Sequence, residues 1–427
     1  MKILIIGNGG REHAIAEALL KNKKTECVYI STHNGGAKDR IINAELTNHN
    51  IETIDEFLAK TQIDLVVVGP EQFLSEGIID HIQSKGIKAF GPHKAAARLE
   101  SSKAFAKEFM EKYQIPTAGY FRYDNYDDAL TGLPEFGYPV VIKADGLCGG
   151  KGVSICQNEK DAVRALTDIF HNRIFGNQGT EIVMEQFLSG FEASLLCFVS
   201  GNKIYPFDTA MDYKKIYDND LGPNTGGVGC ISPNPYWTVD LDQQSNQIIR
   251  QIEKGLAQEK LGFTGILFIG YLIENGKLYV LEFNTRFGDP ETEVLLPRLK
   301  SDLLTNIMQA IDDKPVELDF AANVAMTTIL VSQGYPGKYE TGHEITGLDL
   351  VDPDILIYHN GTKQIIDSSS DQKTKIVTNG GRVLSVVAVK ENLAAARQAV
   401  YNNIDKIHFD NMSYRTDIGK IIEIYKN

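Results

Sequence analysis

The sequence predicts a multidomain chain of mixed α/β and α+β class, opening on a doubly wound parallel sheet and closing on a small α+β unit. Three observations carry this. At 427 residues the chain exceeds one ordinary hydrophobic core. Residues 1–100 alternate short β-branched runs with helical patterns. Two glycine-rich loops, 145–152 and 222–229, then separate strand-like segments.

Residues 1–7 (MKILIIG) read as a buried strand, Asn8-Gly9-Gly10 as a turn and 11–20 as the start of a helix. Further strands are expected at 27–31, 64–69 and 88–90, with helices at 54–61 and 77–85. Such a Rossmann-like sheet binds ligands beyond the carboxyl ends of its strands, here Gly7 to Gly10 and Gly69-Pro70-Glu71. It is not a dinucleotide site. Glu12 stands where G-x-G-x-x-G needs its third glycine, and the second strand ends Ser31-Thr32-His33-Asn34, without an acid for a ribose. An anion site at the helix start is the functional reading that survives, served by backbone N–H groups and the helix dipole.

A helix is expected over 101–112, capped by Ser101 or Ser102, with Lys103 near its start. The dipole disfavours a cation there, so an anionic partner would explain Lys103. A strand over 139–144 carries Lys143 near its end, and a loop, 145–152, precedes a second strand, 153–156. The loop is no Walker A motif, because Gly152 follows Lys151 and Asp145 takes the first glycine's place. Its glycines can still fold backbone N–H groups over phosphates. Strands at 180–188 and 192–199 place Glu185 and Glu192 as candidates to meet an adenine amino group and ribose hydroxyls. The stretch 222–229 is too rich in turn formers for a helix or a central strand and reads as a lid or substrate loop. Beyond it come a helix at 242–260, strands at 264–273 and 278–283, and a tail with strands at 325–331 and 382–389 and a helix at 392–402.

The richest stretch is 278–296, LYVLEFNTRFGDPETEVLL. Glu282 and Asn284, two apart on a strand, share a face, so both oxygens could meet one metal ion. Arg286, Asp289 and Glu291 follow, punctuated by Gly288 and Pro290. Burying such a set for stability alone is costly, which marks a metal and anion site.

Composition narrows the function classes. A formal charge of −13 argues against a nucleic-acid or anionic-membrane partner. No apolar run approaches the length that spans a bilayer, and the apolar part of MKILIIGNGG is too short for a signal peptide. Five cysteines without C-x-x-C spacing indicate neither a disulfide framework nor a zinc site, so a reducing cytoplasm is expected.

The ordered segments GNGGREH (7–13), VGPE (68–71), SSKAF (101–105), KADGLCGGKGV (143–153), EQFLSGFEAS (185–194), GPNTGGVG (222–229), LEFNTRFGDPE (281–291) and TNGGRVL (378–384) resemble the glycinamide ribonucleotide synthetases. These phosphoribosylamine–glycine ligases belong to the ATP-grasp superfamily. The resemblance spans essentially the whole chain, and RFGDPE is specific to this family. It implies a substrate domain at 1–100, a central ATP-grasp fold at 101–320 with a mobile subdomain at about 120–190, and an α+β domain at 321–427. It implies ATP-dependent joining of glycine to 5-phosphoribosylamine with Mg²⁺ (or Mn²⁺), through glycyl phosphate, in the second step of purine synthesis. By the same comparison a stand-alone, bacterial-type, monomeric enzyme is expected. Another ATP-grasp carboxylation or purine enzyme is disfavoured by RFGDPE and GNGGREH, and a dehydrogenase-like protein by the failed dinucleotide pattern.

Carried over by position, Lys103 and Lys143 would meet the ATP phosphates, and Gly149, Gly150, Lys151 and Gly152 would form the phosphate lid. Glu185, Gln186, Phe187 and Leu188 would form the adenine hinge, with Glu192 on the ribose. Glu282 and Asn284 would bind the metal. Gly9, Gly10, Pro70 and Glu71 would line the phosphoribosylamine pocket. Asp212, Lys214, Asn224, Thr225, Gly226, Gly227, Arg286, Asp289 and Glu291 would surround the reacting glycine and phosphoryl groups. The chain departs from the family at Cys148 and Gly149, where two alanines are usual, making Cys148 an exposed-thiol candidate. Tyr213 replaces a histidine and Lys215 an arginine, and a lysine cannot grip an anion in the bidentate way an arginine does. The metal pair is lean, since 268–272 (FIGYL) offers no second carboxylate.

Overall fold

The computed structural model describes residues 1–46, 50–149, 151–176, 178–366 and 374–420. Its N-terminal part is the expected parallel sheet. The strands Ile41–Asn43, Cys27–Ile30, Lys2–Ile6, Leu65–Val68 and Lys88–Phe90 lie side by side in that order, every pair parallel. Chain order reverses between Lys2–Ile6 and Leu65–Val68, and the carboxyl ends of these two strands carry the turns at Gly7 to Gly10 and at Pro70. Side chains on both faces are buried, as a helix-covered parallel sheet requires.

The expected helix is present as Lys103–Lys112, and a second, unexpected helix, Lys94–Ser101, abuts its start. Ser102 breaks them apart in an extended conformation, and its side chain accepts from the Phe105 N–H. The expected helix is capped again from outside: Asp145 accepts from the Ala104 N–H at 3.0 Å and the Ser102 hydroxyl at 3.2 Å. An aspartate at a helix N-terminus offsets the dipole, and here it ties the glycine loop to that helix.

A four-stranded antiparallel sheet follows, ordered Tyr120–Tyr123, Ile182–Gln186, Val140–Ala144 and Val153–Cys156. The largest sheet begins at Lys277–Asn284 and passes through Gly265–Glu274, Phe191–Ser200, Lys203–Asp212 and Gly229–Ser232. It continues without a break into Val324–Ser332, Arg382–Lys390 and Ile355–His359. Hydrogen bonding therefore links the central and C-terminal parts of the chain.

The glycine-rich stretch needs correction. Leu221–Asn224 pairs with Lys215–Tyr217 in an exposed two-stranded ribbon, and Gly229–Ser232 is a central strand. Glycine weakens a strand without forbidding it, and neighbours on both sides supply the pairing. Only the segment between, around Thr225 to Val228, is a loop. Among the described residues no helix is long and apolar enough to cross a membrane.

Candidate functional site

Strand Lys277–Asn284 delivers Glu282 and Asn284 to one face, with Asn284 Nδ2 3.5 Å from Glu282 Oε1. Burial works to raise the Glu282 carboxyl, but the ammonium groups of Lys214, Lys143 and Lys103 overcome it and hold the group below its ordinary value. Lysines from three separate elements thus converge on one carboxylate. Lys103, at the start of its helix, donates to the Gly146 carbonyl at 2.8 Å. Lys143 reaches the Leu281 carbonyl at 3.3 Å and Glu185 at 2.8 Å. Lys214 pairs with Glu192 at 2.5 Å, and despite burial that carboxylate and those of Glu282 and Asp212 raise its pKa. Cations gathered round one acid suit a polyphosphate.

Glu185 does not stand open to a base. It is buried, its carboxylate lying between Lys143 and Lys107, the latter at 3.3 Å. The expected direct meeting of its side chain with an adenine amino group is therefore corrected: two ammonium groups already claim that carboxylate. Lys107, unnoticed in the sequence, is itself buried and pushed down to about 8, chiefly by desolvation. Gln186 is exposed and Phe187 and Leu188 half-buried, in the connection to strand Phe191–Ser200. In the loop expected to form the lid, Gly149 and Lys151 are exposed and Gly152 is buried, while Gly150 lies outside the described residues. Cys148 is only partly accessible and burial raises its thiol, so the exposed-thiol expectation fails.

Arg286, just past the strand, is gripped by acids on two sides. Its Nε lies 3.2 Å from Glu71 Oε2 and its Nη2 3.2 Å from Glu100 Oε1. Burial opposes the guanidinium charge, but Glu100 and Glu71 raise its pKa well beyond the ordinary value. Glu71 comes from the helix start after Pro70, so Arg286 joins the sheet's switch point to the lysine cluster. Glu100 is buried, and burial raises its carboxyl. It also accepts from the Thr285 N–H at 2.7 Å.

Asp212, Asp289 and Glu291 crowd together on the other side. Burial lifts the Asp212 carboxyl far above its usual range and Glu291 adds to the rise. Asp212 Oδ1 and Asp289 Oδ1 are both sealed from solvent without a hydrogen-bond partner. Glu291 is fixed by the Ser194 hydroxyl at 2.9 Å. Thr225 anchors the glycine loop by donating its N–H to Lys214 O at 2.8 Å and its hydroxyl to the same carbonyl at 2.7 Å. Gly227 has a φ of +101°, and a Cβ there would collide with Pro290 and lie 2.7 Å from Asp212 Oδ1. Asn224 is exposed, at the end of the ribbon.

At the first turn, Glu12 explains why the dinucleotide pattern fails. Its carboxylate accepts from the Gly9 N–H at 2.6 Å and from Arg11 at 2.6 Å, so the helix start carries its own anion. Gly10 is buried, and a side chain there would collide with Asn360 and Glu293. Glu293 is fully buried, Ser385 donates to it at 3.2 Å, and burial raises its carboxyl far above the usual range. Glu100, Lys107, Glu293, Asn360 and Arg382 are the site neighbours that sequence reasoning missed. Two of them lay in segments already singled out, Glu293 within 278–296 and Arg382 within TNGGRVL.

The comparisons bear on this geometry. Three family models match in succession: "Phosphoribosylglycinamide synthetase, N domain" at 1–100, "ATP-grasp (A) domain" at 101–292 and "C domain" at 325–421. A phosphoribosylamine–glycine ligase of Halalkalibacterium halodurans is 41% identical over 98% of this chain and 96% of its own. One of Fusobacterium nucleatum is 42% identical over 99% of both. The crystal structure of the Thermotoga maritima phosphoribosylamine–glycine ligase superposes with a TM-score of 0.85 at 31% identity, covering 98% of this chain and 100% of that one. A Campylobacter jejuni biotin carboxylase structure, at 14% identity and a TM-score of 0.74, shares the fold alone; it covers 97% of this chain and 92% of that one. With the lysine cluster, the glycine loop and the RFGDPE turn all in place, the chain belongs to the phosphoribosylglycinamide synthetase family.

Proposed function

We infer that this chain uses ATP to join glycine to 5-phosphoribosylamine, giving glycinamide ribonucleotide, ADP and phosphate. One observation carries the reading: a single strand and its turn, 277–291, put a polyphosphate-type lysine cluster beside a pocket of under-satisfied carboxylates. The first suits ATP and the second an amino acid's ammonium group.

Lys103, Lys143 and Lys214 would neutralise the phosphates, and the backbone from Glu185 to Leu188 would receive the adenine, with Glu192 at the ribose. The donor set fits Mg²⁺ or Mn²⁺ only in company. Glu282 supplies one carboxylate and Asn284 one amide oxygen, and among the described residues no group of three His, Cys, Asp or Glu could hold a metal. Most of the octahedron would come from water and nucleotide phosphates. When bound, the ion would neutralise charge on the β- and γ-phosphates.

Asp212 and Asp289 would receive the glycine ammonium. An arriving cation supplies the countercharge that burial denies Asp212, reversing its raised pKa. A glycine carboxylate oxygen then attacks the γ-phosphorus, and the bond to ADP breaks, leaving glycyl phosphate. The amine of phosphoribosylamine, held near Gly9, Gly10, Pro70 and Glu71, attacks the acyl carbon, loses a proton and expels phosphate. Arg286, between the two halves, would steady charge on the transferring phosphoryl group. Positioning and charge neutralisation suffice, and no nucleophilic side chain is required. The test is ADP release by purified protein given ATP, Mg²⁺, glycine and phosphoribosylamine. Release should need both glycine and the sugar amine; release independent of either would refute the reading.

A further inference from the structure

We propose that Arg382 is a positioning residue for the amino-acid half of the site, locking the glycine loop to the RFGDPE turn. This rests on the glycine-binding role inferred above for Asp212 and Asp289, and on the expectation that Gly226 and Gly227 lie beside the reacting glycine. Arg382 opens the strand Arg382–Lys390, nearly a hundred residues beyond the turn it touches. Its Nη1 donates to the Gly226 carbonyl at 2.6 Å, with the Asp289 carbonyl at 3.3 Å and the Gly227 carbonyl at 3.4 Å. Its Nη2 pairs with Asp289 Oδ2 at 2.8 Å, which leaves Asp289 Oδ1 as that side chain's open valence. One planar guanidinium thus fixes both the loop and the orientation of the carboxylate.

The opposite edge of the loop is held from the same part of the chain, because the Gly226 N–H donates to the Tyr335 hydroxyl at 3.1 Å. The other end of the turn is held from the N-terminal part, where Arg11 Nη1 donates to the Phe287 carbonyl at 3.2 Å. Phe287 to Pro290 is therefore strung between two arginines from opposite ends of the sequence.

A buried arginine bridging carbonyls is often a structural staple only. Arg298 is such a staple here, bonded to Asp208, Ser232, Ala321 and Asn323. Arg382 differs in its acceptors, which are the groups assigned to the amino acid.

The experiment compares wild type, Arg382→Ala, Arg382→Lys, Tyr335→Phe and Arg298→Lys by steady-state kinetics and thermal melting. Arg382→Ala should raise the glycine KM by about tenfold or more while the ATP KM stays within about twofold. Ethylguanidinium should partly restore the glycine KM of Arg382→Ala, and Arg382→Lys should fall between it and wild type. Arg298→Lys should lower the melting temperature and leave the glycine KM in place. If Arg382→Ala does not fold, Arg382→Lys and Tyr335→Phe carry the test through the same split in KM. Unchanged glycine KM, or equal rises for glycine and ATP, would overturn the proposal. A wild type without glycine-dependent ADP release would instead refute the functional reading beneath it.

Discussion

Arg286 makes two ion pairs in different directions, to Glu71 and to Glu100, from a largely buried position. A lysine there could satisfy one acid at a time, leaving the other carboxylate, in the worse case the buried Glu100, short of a partner. Arg286→Lys should therefore keep the ATP KM but lower kcat by about tenfold or more, as steady-state kinetics would show. Gly227→Ala joins a positive φ to a collision with Pro290 and is expected to lower stability by about 1–3 kcal/mol, read as a fall in melting temperature. The proposed metal ligands, Glu282 and Asn284, make a third prediction. With three lysines already neutralising Glu282, calorimetry should detect little Mg²⁺ binding to the protein alone and clear binding once a non-hydrolysable ATP analogue is present. That Glu282 and Asn284 share one face was legible in the sequence because a strand's period of two is a local rule. Glu100 and Lys107 were not, nor was the meeting of Arg382 with Asp289, because each acts on a residue far away in the chain and no spacing encodes that meeting.

Between elements, the seam of the first helix, Gly10–Leu20, and strand Ile355–His359 packs two neutral imidazoles together. His13 Nδ1 accepts from the His359 N–H at 3.1 Å, His359 Nδ1 bonds Thr362 Oγ1 at 2.8 Å, and the rings lie 5.5 Å apart. Burial holds His13 down to about 4 and His359 to about 3, against an ordinary value of 6.5. Below 6.5 the unfolded chain binds protons that the folded chain refuses. The stability these rings contribute is thus complete above 6.5 and shrinks as pH falls toward the folded values, by about 1.4 kcal/mol per pH unit for each ring. The gap in melting temperature between wild type and His359→Gln should accordingly narrow from about pH 7 to about pH 5; a gap constant with pH would contradict this. Element types were mostly legible where periodicity was strong, as in the N-terminal sheet. The ribbon Leu221–Asn224 and strand Gly229–Ser232 were hidden, since glycine-rich sequence gives no pattern and only neighbouring strands make it extended.

Across the whole molecule, the site belongs to no single part of the chain. The N-terminal part contributes Glu71 and Arg11, the central strand and the turn after it Glu282 to Glu291, and the C-terminal part Arg382 and Asn360. One sheet runs from Lys277–Asn284 to Ile355–His359, so the C-terminal part is braced against the chemistry rather than appended to it. A net charge of −13 coexists with a local cluster of lysines, which shows why overall charge bounds partners without locating an anion site. The proposed reaction turns on phosphorylation of a glycine carboxylate oxygen before the amine attacks. Glycine labelled with ¹⁸O in its carboxylate tests this most directly, with inorganic phosphate analysed by mass spectrometry after turnover. One labelled oxygen is expected in each phosphate released; phosphate free of label, alongside product formation, would refute that order of steps.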